Sequence, residues 1–177
     1  MIRYQDNFLP KDEFNFLKLI LNPTLTYTYD NILEDDKIEC DPLQNFQFVH
    51  TIVRSGKSVS PHYPLFKTLL LDKLNAEMCD RMKINVTTNT DKPVEHGYHK
   101  DWWDVSDSDL KMNTAIFYFN TCDGYTAIKT PKGKLKKVKS VANRICIFPP
   151  HWLHTGTTTS DSKIRTVLNI VYQEKTL

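Results

Sequence analysis

The chain has 177 residues, of which 40% are hydrophobic and 25% charged, and its 23 Lys and Arg against 21 Asp and Glu give a net charge of +2. This is the composition of an ordinary globular protein, and it excludes a disordered, collagenous or coiled-coil chain. The length predicts one domain over residues 1–177. The nearly balanced charge gives no indication of a nucleic-acid partner.

Two helices are predicted in the first part of the chain, residues 1–78. Pro10 and the acids after it begin a helix that carries Phe14, Leu17 and Leu21 on one face and ends at Asn22-Pro23. Residues 24–45 are predicted to be irregular, and Phe46 to Arg54 alternates like a strand. Ser60-Pro61 begins a second helix, whose apolar positions are Phe66, Leu69, Leu70, Leu74 and Met78.

The second part, residues 79–177, has the period-2 alternation of β-strands. The predicted strands cover Arg81 to Thr88, Asn113 to Asn120, Arg144 to Phe148 and Ile164 to Tyr172. Two early helices followed by many strands predict an α+β, mainly β fold, with helices packed outside a sandwich or barrel.

The location of the protein is predicted from its N-terminus, its apolar runs and its cysteines. No apolar run approaches the 18 or so residues of a membrane span, and the first residues lack the pattern of a signal peptide. Four widely spaced cysteines predict reduced, buried thiols. We therefore expect a cytoplasmic protein. The cytoplasm of a phage-infected host cell is one such location.

Three residues suggest a metal site. His99 and Asp101 are two positions apart, so in a strand they point to the same face. His154 follows the predicted strand 144–148. Two imidazoles and one carboxylate are the ligand set of non-haem Fe(II) oxygenases. A lone His-x-Asp is common by chance, and zinc accepts the same ligands.

Arg165 is the next informative residue. It begins the last predicted strand and shares a face with Val167, Asn169 and Val171. An inward arginine beside apolar residues needs an anion, and its planar fork suits a carboxylate. The alternative is an edge salt bridge, for example with Asp161.

Six segments in order resemble the 2-oxoglutarate- and Fe(II)-dependent dioxygenases, especially the prolyl-4-hydroxylase-like branch and its small phage and marine bacterial members. The resemblance covers residues 79–173. Its segments are Arg81 to Asn85, His99-Lys100-Asp101, Thr114 to Asn120, Asp123 to Thr126, Asn143 to Pro149, and His154 to Thr157 with Arg165 and Asn169. Tyr125 departs from the pattern, since many relatives have a second glycine there.

The resemblance implies a double-stranded β-helix, a jelly-roll of two facing sheets with N-terminal supporting helices and its metal-bearing core in residues 79–177. It implies that His99, Asp101 and His154 hold Fe(II). Arg165, helped by Tyr118, would bind the far carboxylate of 2-oxoglutarate. With O2, the cosubstrate would give succinate and CO2 while a C–H bond is hydroxylated.

Several neighbouring residues have two interpretations. His96 lies three positions before His99 and, on a strand, faces the opposite way, which favours a supporting or loop residue. His151 competes with His154, but the following Gly156 and the spacing to Arg165 favour His154. Asn85 and Asn169 could point into the cofactor site or be hydrogen-bonded barrel asparagines.

Trp102, Trp103 and a lysine run have roles that the sequence does not fix. The tryptophans follow Asp101, and packing of a loop is favoured over stacking on substrate. The lysine run favours a solvated hairpin around Gly133 over a site for phosphate or an acidic partner. It consists of Lys129, Lys132, Lys134, Lys136, Lys137 and Lys139.

Two function classes remain open at this point. The first is an oxygenase that hydroxylates a peptidyl proline, another protein residue or a small molecule. The second is a redox-silent metal-binding jelly-roll, such as a cupin-like isomerase or a binding module, which has no need for Arg165. A nucleobase substrate is less favoured, because no basic groove with interleaved aromatic residues is present. The oligomeric state is not predicted.

Overall fold

The structure is a computed structural model that describes residues 1–21, 25–32, 41–102 and 111–176. Its α-helices are α1 (Lys11–Ile20) and α2 (Tyr63–Phe66), and α2 continues as a π-helical segment over Lys67–Leu71. The strands of the described residues are β1 (Arg3–Gln5), β2 (Thr28–Asn31), β3 (Phe46–Arg54), β4 (Lys57–Ser58), β5 (Ala76–Thr88), β6 (Met112–Tyr118), β7 (Tyr125–Lys129), β8 (Leu135–Lys139), β9 (Ile145–Phe148), β10 (His154–Gly156) and β11 (Ile164–Glu174).

In the described part of the chain the strands form two antiparallel sheets. The larger has the order β1-β9-β6-β11-β5-β3-β2, with β4 beside β3, and the smaller has the order β10-β7-β8. Strand β11 is central, since it pairs with β5 on one side and with β6 on the other. This mainly β arrangement confirms the predicted jelly-roll.

Alternation along β11 separates two apolar clusters. Leu168 and Ile170 face outwards and join the larger cluster, to which α1 contributes Phe14 and Leu17. Val167 faces inwards and joins a smaller cluster with residues of both sheets, namely Ile116, Tyr118, Ile128, Val138, Cys146 and Phe148. The helices therefore support the outer face of the large sheet, as predicted, and leave its inner face to the site.

The second helix is shorter than its apolar spacing predicts. Leu70 and Leu74 are buried as expected, but Asn75 has a φ of 52° and ends the helical turn. Met78, predicted on the helix, lies in β5. The first helix confirms its prediction, although its expected end at Asn22-Pro23 lies outside the described residues.

Strand β2 lies where residues 24–45 were predicted to be irregular. All four of its residues are exposed, so no apolar alternation indicates it. It pairs with β3 from Thr28↔Val49 to Asn31↔Phe46 and forms one wall of the cleft described below.

The cysteines confirm the predicted buried, reduced thiols where the structure describes them. Cys79, Cys122 and Cys146 are free and buried, and burial raises the pKa of the Cys79 and Cys146 thiols to about 12, which makes them unreactive. Cys40 lies outside the described residues. Among the described helices, none is long and apolar enough to cross a membrane.

Candidate active site

A cleft opens between the inner face of the large sheet and the small sheet. The large sheet contributes alternate residues of β5 and β11, and the small sheet contributes residues of β7 and β10. The lining residues that concern us are Arg81, Lys83, Asn85, His96, His99, Asp101, Thr126, His154, Gly156, Arg165 and Asn169. Period-2 alternation thus brings the predicted metal ligands and the predicted anion-binding arginine into one cavity.

His99 and His154 are held together by their own backbones. The His99 N–H donates to the His154 carbonyl and the His154 N–H donates to the His99 carbonyl, both at 3.0 Å. Directly opposed residues of an antiparallel pair project on the same side, and the two imidazole centroids are 4.6 Å apart. Residues 55 positions apart in the chain are therefore fixed on one face.

Asp101 completes a compact ligand cluster. Its Oδ2 lies 3.3 Å from Nε2 of His154, and its Oδ1 lies 3.8 Å from Nε2 of His99. The three ligand atoms all lie within 4.8 Å of one another. The His–Asp–His set predicted from the sequence is thus brought to one point.

The backbone also orients both imidazoles. Nδ1 of His154 is 3.0 Å from the Trp152 carbonyl, and Nδ1 of His99 is 3.4 Å from the Gly97 carbonyl. A carbonyl can only accept, so Nδ1 carries the proton in the neutral ring and Nε2 keeps its lone pair. Such partners are typical of metal-bound histidines. Burial, and then His154, lowers the pKa of His99 to about 4, which keeps that imidazole neutral.

Three donors surround the Asp101 carboxylate. Arg81 donates to Oδ1, and Oδ2 accepts from Thr114 Oγ1 at 2.8 Å and from Asn169 Nδ2 at 3.1 Å. Burial alone would raise the pKa of Asp101, but His154 and Arg81 hold it well below its usual value. The carboxylate is therefore ionised and fixed in direction.

The cluster fits a divalent transition metal. Nε2 of His154 is buried and has no hydrogen-bond partner, which is unfavourable unless another atom meets it. Two neutral imidazoles and one carboxylate suit Fe(II), and they also suit zinc. The donor set therefore identifies the kind of site without selecting the metal.

Arg165 lies deep in the same cleft with 3% of its surface exposed. Its Nη2 donates to Thr126 Oγ1 at 3.0 Å, its Nη1 lies 3.5 Å from the Thr157 carbonyl, and its Nε has no partner. Burial lowers its pKa, but an arginine stays charged in proteins. Among the described residues no carboxylate lies within ion-pair distance of it.

The ion pair of Arg165 with Asp161, offered as the alternative, is not formed. Asp161 Oδ1 instead accepts from the Asp123 N–H at 2.9 Å. The turn between β6 and β7 makes room for the arginine, because a Cβ on Gly124 would lie 2.6 Å from Arg165 Cδ. A glycine is therefore required at position 124, while Tyr125, the departure from the family pattern, is tolerated.

Tyr118, Asn85 and Asn169 differ in their relation to the predicted cofactor site. The buried hydroxyl of Tyr118 donates to Thr126 Oγ1 at 2.9 Å, the atom that Arg165 also contacts, and burial raises its pKa. Asn85 lines the cleft, and its Oδ1 has no partner. Asn169 contacts Asp101, so the structure places it beside the metal ligands.

His96 corrects a prediction, since it was expected to face away from the site. Glu95 pairs with Thr157 and His99 pairs with His154. The segment 95–99 therefore has one residue more than the opposing segment 154–157. The extra residue is a bulge-like irregularity that turns His96 inwards, opposite Gly156. His96 is 4% exposed and lines the cleft, and neither ring nitrogen has a hydrogen-bond partner among the described residues.

His151 and the tryptophans lie outside the ligand cluster. In the described chain, the cluster of possible metal ligands contains His99, Asp101 and His154 and omits His151. The backbone N–H of Trp102 donates to the Pro150 carbonyl at 3.2 Å, which holds Trp102 against the turn after β9. Trp103 lies outside the described residues.

The chain resembles known proteins in its fold and not in its sequence. No family model and no curated protein matches the sequence. Many solved structures match in fold, and three of them illustrate the likeness. They are a Pseudomonas putida prolyl-4-hydroxylase (15% identity, TM-score 0.57, 99% of this chain and 93% of that one), a Burkholderia pseudomallei oxidoreductase of the 2OG-Fe(II) oxygenase family (14%, 0.67, 97% and 84%) and HygX from Streptomyces hygroscopicus with nickel and 2-oxoglutarate bound (11%, 0.59, 98% and 83%).

The chain therefore has the double-stranded β-helix fold found in 2-oxoglutarate- and Fe(II)-dependent oxygenases. Likeness at this identity defines the fold, while the chemistry has to be argued from the site itself.

Proposed function

We propose that the protein is an Fe(II)- and 2-oxoglutarate-dependent oxygenase that hydroxylates a C–H bond. The observation that carries the proposal is the presence, in one cleft, of a buried His–Asp–His cluster and a buried arginine without a carboxylate partner among the described residues. The first feature suits a divalent metal, and the second suits an anionic cosubstrate.

Each site residue has a role in this proposal. His99, Asp101 and His154 hold the metal through Nε2, a carboxylate oxygen and Nε2. Arg165 binds the far carboxylate of 2-oxoglutarate, with Thr126 and Tyr118 fixing the position of its guanidinium. When bound, metal and cosubstrate supply the oxidising chemistry. O2, 2-oxoglutarate and R–H give R–OH, succinate and CO2.

The protein's own contribution is position and exclusion of water. Arg81, Thr114 and Asn169 hold Asp101 ionised and aligned before the metal arrives. Ile116 and Val167 of the inner apolar cluster line the cleft, and an apolar lining strengthens the attraction between Arg165 and a carboxylate. Such preorganisation is what cofactor enzymes supply.

The substrate is proposed to be a peptidyl proline or a small molecule. One fold neighbour is a prolyl hydroxylase in complex with a peptide fragment, which supports a peptide, but substrate does not follow from fold. The redox-silent alternative, a cupin-like isomerase or binding module, leaves the buried charge of Arg165 without a use.

The test is an anaerobic titration of the metal-free protein with Fe(II) and 2-oxoglutarate. We expect a visible charge-transfer absorption that requires both components, and we expect His154→Ala to abolish it. His151→Ala is the matched control, since His151 is a nearby histidine outside the cluster. Tight metal binding with no change on adding 2-oxoglutarate would reject the oxygenase and leave the redox-silent alternative.

A further inference from the structure

We propose that His96 is a second binding residue for the cosubstrate, with its ring N–H donating to the far carboxylate of 2-oxoglutarate beside Arg165. This rests on the proposed function and adds to it a residue outside the motif that suggested the site.

The first argument is the state of the His96 ring. Both ring nitrogens are buried and neither has a hydrogen-bond partner in the described part of the protein. Buried polar atoms in native proteins are nearly always hydrogen-bonded, and an unpartnered one destabilises the fold by about 1–3 kcal/mol. A ring placed in this way against a cleft therefore indicates a ligand that supplies the partner.

The second argument is position. His96 and Arg165 both line the cleft, and Gly156 lies between them. The backbone N–H of His96 donates to the Gly156 carbonyl at 3.2 Å, while a Cβ added to Gly156 would lie 3.2 Å from Arg165 Nη1. The absence of a side chain at position 156 therefore leaves space that a ligand shared by the two donors could occupy.

The third argument is charge. Burial, and then the charge of Arg165, lowers the pKa of His96 to about 4, so the ring is neutral at pH 7. A neutral imidazole has one N–H to donate. Arg165 Nε is likewise without a partner. The two oxygens of one carboxylate could therefore accept from the His96 ring N–H and from Arg165 Nε. Because the His96 ring is neutral, Arg165 contributes the one positive charge of this pair of donors.

The experiment compares two 2-oxo acids on three proteins. 2-Oxoglutarate and 2-oxobutyrate share the 2-oxo acid group, but only 2-oxoglutarate has a far carboxylate. Their dissociation constants are measured anaerobically with the Fe(II) protein from the charge-transfer absorption, for wild type, His96→Leu and His96→Gln. Fe(II) affinity is measured for each variant as the readout of an intact metal site.

We expect His96→Leu to weaken 2-oxoglutarate about tenfold or more, as for loss of a hydrogen bond to a charged group, and to change 2-oxobutyrate less than twofold. His96→Gln keeps an N–H donor and should retain part of the affinity. His151→Leu is the matched control and should leave both constants unchanged.

Other outcomes overturn the proposal in distinguishable ways. Unchanged 2-oxoglutarate affinity in His96→Leu would make His96 a buried structural residue, with the oxygenase proposal intact. Equal weakening of both acids, or a lowered Fe(II) affinity, would assign it to shaping the metal site. If His96→Leu does not fold, the same comparison is decided by His96→Gln, whose affinities must then fall selectively for 2-oxoglutarate. Absence of binding in wild type would instead reject the proposed function.

Discussion

At one end of the cleft three donors surround the carboxylate of Asp101, whereas at the other end Arg165 and His96 have buried donor nitrogens without acceptors among the described residues. Both ends are buried and both are built on the inner face of the same sheet. The difference is that, among the described residues, the carboxylate of Asp101 has a counter-charge in Arg81 whereas the guanidinium of Arg165 has none.

This contrast separates a preorganised metal ligand, Asp101, from a residue that needs a bound anion, Arg165. An anion surrounded by donors is ordered before any ligand binds, so the carboxylate of Asp101 is ready to receive a metal. A buried cation without a counter-ion is unfavourable in the ligand-free protein. Binding of an anion removes this unfavourable free energy, and part of the gain contributes to the affinity for the anion.

The largest expected effect on 2-oxoglutarate affinity comes from removing the charge of Arg165. We expect Arg165→Met to weaken 2-oxoglutarate binding by about 100-fold or more, since losing one partner of a buried charge pair costs about 2–5 kcal/mol. The ligand-free protein should melt at the same or a higher temperature, because an uncompensated buried charge has been replaced by an apolar chain. Anaerobic titration and thermal melts measure the two quantities.

The control for this substitution is Arg144→Met. Arg144 is paired with Asp6 near the surface, so its loss should leave 2-oxoglutarate affinity unchanged. A large fall in melting temperature for Arg165→Met with unchanged affinity would mean that the arginine is structural, and the contrast between the two ends of the cleft would fail.

An intermediate effect is expected at the donor-rich end. Thr114 is fully buried and its hydroxyl donates to Asp101 Oδ2 at 2.8 Å. Thr114→Val keeps the shape and removes the donor, so we expect metal affinity to fall about tenfold and the free energy of unfolding to fall by about 1–3 kcal/mol. Metal titration and denaturant unfolding measure these changes.

Thr166→Val is the matched control, because Thr166 is also buried on a strand but its hydroxyl makes no hydrogen bond within the described residues. The variant should bind metal as wild type does. Equal metal affinities for Thr114→Val and wild type would show that Arg81 and Asn169 suffice to orient Asp101.

Much of this arrangement could be predicted from the sequence, because regular alternation determines it. Period 2 placed Arg165, Val167 and Asn169 on one face, and the structure finds all three lining the cleft. The chemistry of the ligand set selected His99, Asp101 and His154 without knowledge of the turns between them. Resemblance to a known family supplied the jelly-roll that brings them together.

The residues that sequence analysis missed lie where alternation is broken or absent. His96 faces inwards because one extra residue separates it from His99 relative to the opposing strand, and a fixed period cannot register such an irregularity. Strand β2 has no buried residue to indicate it. The second helix ends early because Asn75 adopts a left-handed conformation, which apolar spacing does not reveal.

The smallest effect is expected on the hairpin of β7 and β8, which confirms the turn predicted around Gly133. Two of its lysines contact the segment that carries His96: Lys137 pairs with Glu95 at 3.0 Å, and Lys129 Nζ lies 3.8 Å from the Tyr98 ring centroid. Lys132, Lys134 and Lys136 are exposed.

We therefore examine a triple variant that combines Lys132→Gln, Lys134→Gln and Lys136→Gln. Its affinities for metal and for 2-oxoglutarate should change less than twofold. Each substitution should change the free energy of unfolding by less than about 0.5 kcal/mol. Lys137→Gln should have the larger effect on 2-oxoglutarate, since it removes the ion pair of Glu95, next to His96, and leaves only the Tyr98 and Tyr125 hydroxyls as its partners among the described residues. The same titrations at two salt concentrations test both. A marked, salt-dependent loss of 2-oxoglutarate affinity in the triple variant would show that these exposed lysines attract the anionic cosubstrate, because salt screens the interactions of exposed charges.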